Sequence, residues 1–119
     1  MEKSRIQEII HDSEYKLDQF DQLTVEAVGR LIFQKKVRGK FSDYITCQVR
    51  NKEIKLTAEE LIRQLFIYKL SQQYKYPLDR IQCEHPVSFG REKKRADIVV
   101  FDKHDTTAPY IIVELKKPK

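Results

Sequence analysis

No stretch of this 119-residue chain is apolar for long enough to span a bilayer. Its first residues, MEKSRIQEIIHDSEYK, lack the apolar h-region of a secretory signal. The two cysteines, Cys47 and Cys83, have no CxxC spacing, and they read as two unremarkable buried thiols in a reduced, cytoplasmic protein. The three histidines, His11, His85 and His104, lack zinc-ligand spacing. No internal repeat, no low-complexity tract and no Walker A loop is present. These absences exclude a membrane span, a disulfide scaffold, a zinc finger and a P-loop nucleotide site. The length suits one compact domain and not two.

What is present is charge on an adequate core. Hydrophobic residues make up 40% and charged residues 34%, with net charge +5, pI about 9.2 and mean hydropathy −0.61. A surplus of positive charge permits phosphate contacts with nucleic acid without requiring them.

Periodicity predicts a loose amphipathic helix over 3–18, with Ile6, Ile9, Ile10 and Leu17 apolar. A second helix is predicted over 25–36, capped by Thr24, with Val25, Val28, Leu31 and Ile32 on one face. RGKFSD (38–43) reads as a basic, polar loop, so residues 1–43 form an N-terminal helical segment and 44–119 the core. YITCQVR (44–50) reads as a strand, Asn51-Lys52 as a tight turn and EIKL (53–56) as the returning strand. Thr57 and Glu60 form a capping-box pair at the head of a helix running to about Ser71, with Leu61, Ile62, Leu65 and Phe66 buried. IQCEHPVSF (81–89) reads as a strand interrupted by Pro86, near an edge or at a bulge. GREKKR (90–95) reads as a charged turn. ADIVVFD (96–102) and PYIIVEL (109–115) read as strands at the centre of a sheet covered on both faces. The expected class is α/β. Tyr68, Tyr74 and Tyr76 fit packing better than base stacking, and no function is assigned to them.

The chemically informative residues are charges within those two apolar strands. Asp97 heads one, and Glu114 and Lys116 end the other. Residues two apart on a strand share a face, roughly 6–7 Å apart, so Glu114 and Lys116 project together. If the strands are neighbours, Asp97 joins them. Charges buried there need mutual pairing or a bound cation. Two carboxylates offer hard oxygens suited to Mg²⁺, and a lysine beside a metal-bound water can orient a nucleophile. On the spacing alone, solvated strand ends explain Asp…Glu-x-Lys better than a metal site does. On the capped helix, Glu59 falls at the border of the apolar stripe and could add a carboxylate, whereas Glu60 points away and fits the capping role. Arg91, Lys93, Lys94 and Arg95 lie just before Asp97 and could hold a DNA phosphate, and Lys117 and Lys119 extend that positive end.

The ordered combination LTAEELIRQLF, YPLDRIQCEHPVSFGREKKRADIVVFDK and APYIIVELKKPK resembles the N-terminal domain of type I restriction enzyme R subunits, over roughly residues 44–119. The resemblance implies a PD-(D/E)xK, restriction-endonuclease-like fold, a central mixed sheet flanked by helices. It implies Mg²⁺, replaceable by Mn²⁺, held by Asp97, Glu114 and the Leu115 backbone carbonyl. Lys116 then acts on the water and Glu59 is the match for a helix glutamate. Ala96 stands where the family motif often has Pro. The family core usually continues past E-x-K, so a missing C-terminal part of the core is expected, with the ATP-driven motor absent and weak or no activity from the chain alone. DNA and the methyltransferase and specificity subunits of a restriction complex are the implied partners. A catalytically silent DNA-binding or subunit-docking module, or a standalone nuclease of repair or mobile DNA, are the alternatives.

Overall fold

A computed structural model describes residues 6, 9, 17, 20–105 and 108–115. The helix expected over 3–18 lies outside the described residues, apart from Ile6, which is buried in the core, and Ile9 and Leu17, which pack against it. Helix α1 (Gln22–Gly29) is capped by Asp21, whose carboxylate accepts from the Thr24 amide at 2.8 Å. Thr24, expected as the cap, sits three residues inside the first turn and is buried with Val25 and Val28.

The helix ends at Gly29, not at residue 36, and the chain then forms a hairpin. Strand β1 (Ile32–Val37) pairs antiparallel with β2 (Lys40–Thr46), Val37 lying opposite Lys40. The apolar period runs on through Leu31 and Ile32, but Arg38 and Gly39 take φ of 53° and 80°. Two successive positive φ values are the geometry of a tight hairpin turn, which glycine supplies without steric cost. The stretch 38–43 is therefore a turn entering a strand, and β2 crosses the boundary expected at residues 43 and 44. Asn51, with φ of 52°, turns the chain into β3 (Glu53–Lys55), which pairs with β2 as expected.

Helix α2 (Ala58–Tyr68) is capped by Thr57, whose hydroxyl oxygen accepts from the Glu60 amide at 3.0 Å. Its last turn widens into a π-helical segment, Lys69–Gln73. Strands β4 (Ile81–Phe89), β5 (Glu92–Phe101) and β6 (Pro109–Val113) form a second antiparallel sheet with β5 at its centre. Only Gly90 and Arg91 of the expected charged turn are turn residues, and Glu92–Arg95 lengthen β5. Pro86 is tolerated because β4 is an edge strand. The class is mixed α/β, but two three-stranded antiparallel sheets stand in place of one central mixed sheet.

The core joins these parts. Leu61 and Leu65 of α2 pack with Val28, Ile45, Ile6 and Leu115. Ile67 and Leu70 pack on Ile81, Ile98 and Val100. Each fully buried leucine or isoleucine contributes about 1.5–3 kcal/mol relative to exposure, so truncating Leu65 would loosen both helices at once.

Candidate active site

In a regular strand, alternate residues share a face. Strand β5 breaks that rule at Asp97. Ile98 and Val100 meet Ile67 and Leu70 on the side of α2, whereas Ala96, Val99 and Phe101 cluster with Val87 on the other side. Ala96 and Val99 are three apart, so the alternation slips by one residue between them. Strand β4 slips at the matching place. Cys83 lies with the Ile98 cluster, yet His85, two residues on, packs edge-on against Phe101 at 5.0 Å. The ladder pairs Cys83 with Ile98 and His85 with Ala96 and omits the rung between, Glu84 and Asp97. Glu84 takes φ of 49° there. Counting back from Val99, regular pleating would put Asp97 with Val99 and Phe101. The slip lets its carboxylate reach Arg63 on α2, Nη2 to Oδ1 at 3.4 Å, while Oδ2 accepts from the Leu115 backbone amide at 2.8 Å.

Arg63 is the hub. Its side chain is 4% exposed, pairs with Glu60 at 2.5 Å, and comes within 3.6 Å of Glu84. Its Nε is buried without a partner among the described residues. Burial works against the guanidinium charge, and attraction to Glu60 more than offsets it, raising its pKa. The second Glu60 oxygen accepts from Arg50 at 2.7 Å and from Gln64 at 2.9 Å. Gln64 in turn accepts from the backbone and side chain of Gln48, both at 3.1 Å. Two guanidinium groups and two amides thus hold carboxylates that would be costly to bury alone.

This arrangement corrects the assignment on α2. Glu59 is exposed and Glu60 is buried. The apolar stripe Leu61, Ile62 and Leu65 was legible, but the helix is buried over a wider arc that adds Glu60, Arg63, Gln64 and Ile67. Those four lie at i, i+3, i+4 and i+7, one helical face. A polar trio in line with an isoleucine was the available signal for it. Arg50, Gln48 and Arg63 were missed altogether.

The remaining expected residues lie at the ends of the second sheet. The β5–β6 register ends with Ile98 opposite Val113, so Asp97 and Glu114 each adjoin its last rung. Glu114 is exposed, while Leu115 is buried in the core. Arg91, Lys93, Lys94 and Arg95 are exposed on the β4–β5 hairpin. Lys116, Lys117 and Lys119 lie outside the described residues. Among the described residues, no three His, Cys, Asp or Glu side chains gather as a metal-holding group. The donor chemistry nonetheless fits a small, hard cation: Mg²⁺ takes only one or two carboxylates and keeps its waters. Asp97, Glu114 and the Leu115 carbonyl lie at one end of neighbouring strands.

The cysteines are not isolated thiols. The Arg50 amide and Nε donate to the Cys47 sulfur at 3.3 and 3.2 Å. A hydrogen bond from Cys83, working against burial and aided by Arg50 and Gln64, lowers the Cys47 pKa to about 4. The same contact, together with burial, pushes the Cys83 thiol up. Neither is in a disulfide.

The fold and site define a small α/β domain in which a strand aspartate, drawn out of phase, joins a buried ion network. The family model of the type I restriction enzyme R protein N terminus matches residues 58–119, just over half of the chain, and the chain belongs to that family. The matched segment starts with α2 and includes both strands of the Asp97 site. Comparison with curated proteins and with solved structures returned no match. Among the described residues no helix is long and apolar enough to cross a membrane.

Proposed function

We propose that the chain is the nuclease domain of a type I restriction enzyme R subunit, of PD-(D/E)xK type, hydrolysing DNA phosphodiester bonds with Mg²⁺. The observation that carries this reading is the slipped rung, which turns Asp97 toward the Leu115 backbone in the segment matched by the family. A strand has no structural need of a carboxylate at that point, and the domain spends a buried arginine to keep it there. Asp97, Glu114 and the Leu115 carbonyl would hold the metal ion. When bound, the ion supplies charge neutralisation at the phosphate and a more acidic water. Lys116, by resemblance, orients the attacking water. Glu60 acts at one remove, fixing Arg63, which positions Asp97. Arg91, Lys93, Lys94 and Arg95 offer phosphate contacts that place the duplex. Sequence recognition then belongs to the methyltransferase and specificity subunits of the complex.

The test is nicking of supercoiled plasmid by the purified chain in millimolar Mn²⁺ or Mg²⁺. Any nicking by wild type should be weak, and Asp97→Asn and Glu114→Gln should abolish it. One observation favours a second reading: Arg63 already neutralises Asp97, as a silent DNA-binding module of this fold would have it. Nicking that is equal in wild type and Asp97→Asn, or absent with no metal-induced stabilisation, would select that second reading.

A further inference from the structure

The β1–β2 hairpin carries an unusual run. From Gln34 to Phe41 the chain reads QKKVRGKF, four cations and no acid. All eight residues are exposed. Register sorts them by face, since directly opposite residues share one. Lys35 and Ser42 form one rung, Val37 and Lys40 the next, and Phe33 and Tyr44 continue that face with stacked rings at 6.1 Å. Lys55 lies opposite Tyr44 on β3 and extends it. Lys36 and Phe41 share the other face, with the ammonium 5.8 Å from the ring centre. Phe41 is 67% exposed, although nothing in the core requires an aromatic there. Lys35 is committed inside the domain, over the Tyr44 ring and 3.3 Å from Glu53. Lys36, Arg38 and Lys40 have no acidic neighbour in the run and define the tip.

We propose that this two-stranded ribbon is a duplex-DNA contact, with Lys36, Arg38 and Lys40 against backbone phosphates and Phe41 at the groove edge. It rests on the DNA reading above but uses residues outside the family match and apart from the Asp97 site. The occupant is argued from charge and shape. Three exposed cations in a run without an acid complement a polyanion, and the major groove of B-form DNA admits a two-stranded β-ribbon. Lys36 and Lys40 lie on opposite faces of the ribbon with Arg38 in the turn between them, so the tip carries cations toward phosphates on both sides of a groove. The contact is to phosphates, so it positions the domain and reads no sequence.

The experiment uses the whole chain, a fluorescent random-sequence duplex, and anisotropy titrations over a range of salt without divalent metal. The variant is Lys36→Gln/Arg38→Gln/Lys40→Gln, all three exposed, with circular dichroism and thermal midpoint as the folding check. Each lost phosphate contact flattens the plot of log affinity against log salt by about 0.9. The triple variant should therefore lose about 2 to 3 units of slope, with the largest weakening at low salt. Phe41→Ser should weaken binding without changing the slope. An unchanged slope in the triple variant, or no duplex binding by wild type, overturns the proposal. So does tighter binding to single strands of equal length or to phosphatidylglycerol vesicles. Ribbon-dependent binding with neither metal-dependent nicking nor metal-induced stabilisation would sustain the ribbon and sink the nuclease reading. Asp97-dependent nicking with an indifferent ribbon would do the reverse.

Discussion

The two sheets are built alike and treated oppositely. Each has three antiparallel strands, and each opens with a hairpin whose turn uses a glycine at positive φ, Gly39 in one and Gly90 in the other. In the first sheet the charges stand in water at the end of an exposed ribbon. In the second, a carboxylate is drawn into a central strand flanked by fully buried side chains, and a helix supplies the cation that keeps it there. A solvated lysine costs the fold almost nothing and can come and go. A carboxylate in a central strand is retained only with partners, so its presence and its supporting set come together. Charge inside the fold therefore argues for chemistry, and charge outside it argues for contact.

The largest effect expected from that contrast is on stability. Arg63→Met leaves Glu60 and Asp97 without their shared cation, and breaking a buried pair in this way costs about 3–5 kcal/mol. Arg38→Met, an arginine lost from the ribbon, should stay within about 0.5 kcal/mol. Urea denaturation of the two variants settles it, and equal midpoints would erase the distinction between the sheets. Next comes metal linkage. Mn²⁺ at a hundredfold excess over its dissociation constant should stabilise wild type by about 2.7 kcal/mol, and Glu114→Ala should abolish the gain. Equal shifts in both would mean that the carboxylates are no metal site. A smaller loss, about 1 kcal/mol, is expected for Thr57→Ala, which removes the cap of the helix bearing Glu60 and Arg63. It should add to the effect of a distant ribbon change and couple to Arg63→Met in a double-mutant cycle.

The last signal concerns one thiolate. With its pKa lowered to about 4 by the Cys83 hydrogen bond, Cys47 should absorb as a thiolate at neutral pH. Its folded pKa lies below the unfolded value of about 8.5. Its stabilising contribution is therefore complete above about pH 8.5 and is lost as pH falls toward about 4. Cys47→Ser should remove both the ultraviolet band and that part of the pH dependence, whereas Arg38→Met should leave both intact.

Much of this was legible because local rules acted without competition. The Thr57 cap, the turn at Asn51, the edge position of Pro86 and the apolar centre of β5 all derive from single-residue preferences and a period of two. The hairpin was not, because Val28, Leu31 and Ile32 keep a helical period across Gly29, and only the Arg38-Gly39 turn breaks the tie. The two charged positions in the strands, Asp97 and Glu114, stood out against apolar neighbours. Their supporting arginines did not, because Arg50 and Arg63 occupy a turn and a helix where arginine is unremarkable until the chain is folded. Glu59 and Glu60 were exchanged for a related reason. The apolar stripe is only part of the buried surface, and a polar face sealed by ion pairs leaves no mark in hydrophobicity.

The omitted rung at Glu84 and Asp97 has a consequence for how relatives of this domain should vary. Beyond it, the face turned toward α2 changes between odd and even positions along both strands. A one-residue insertion or deletion elsewhere in β4 or β5 would invert a whole face and be purged. At the slip itself, the strands are already out of step, so change of length is least damaging there. Drift in strand length across the family should concentrate at this joint, beside the aspartate that the joint exists to turn.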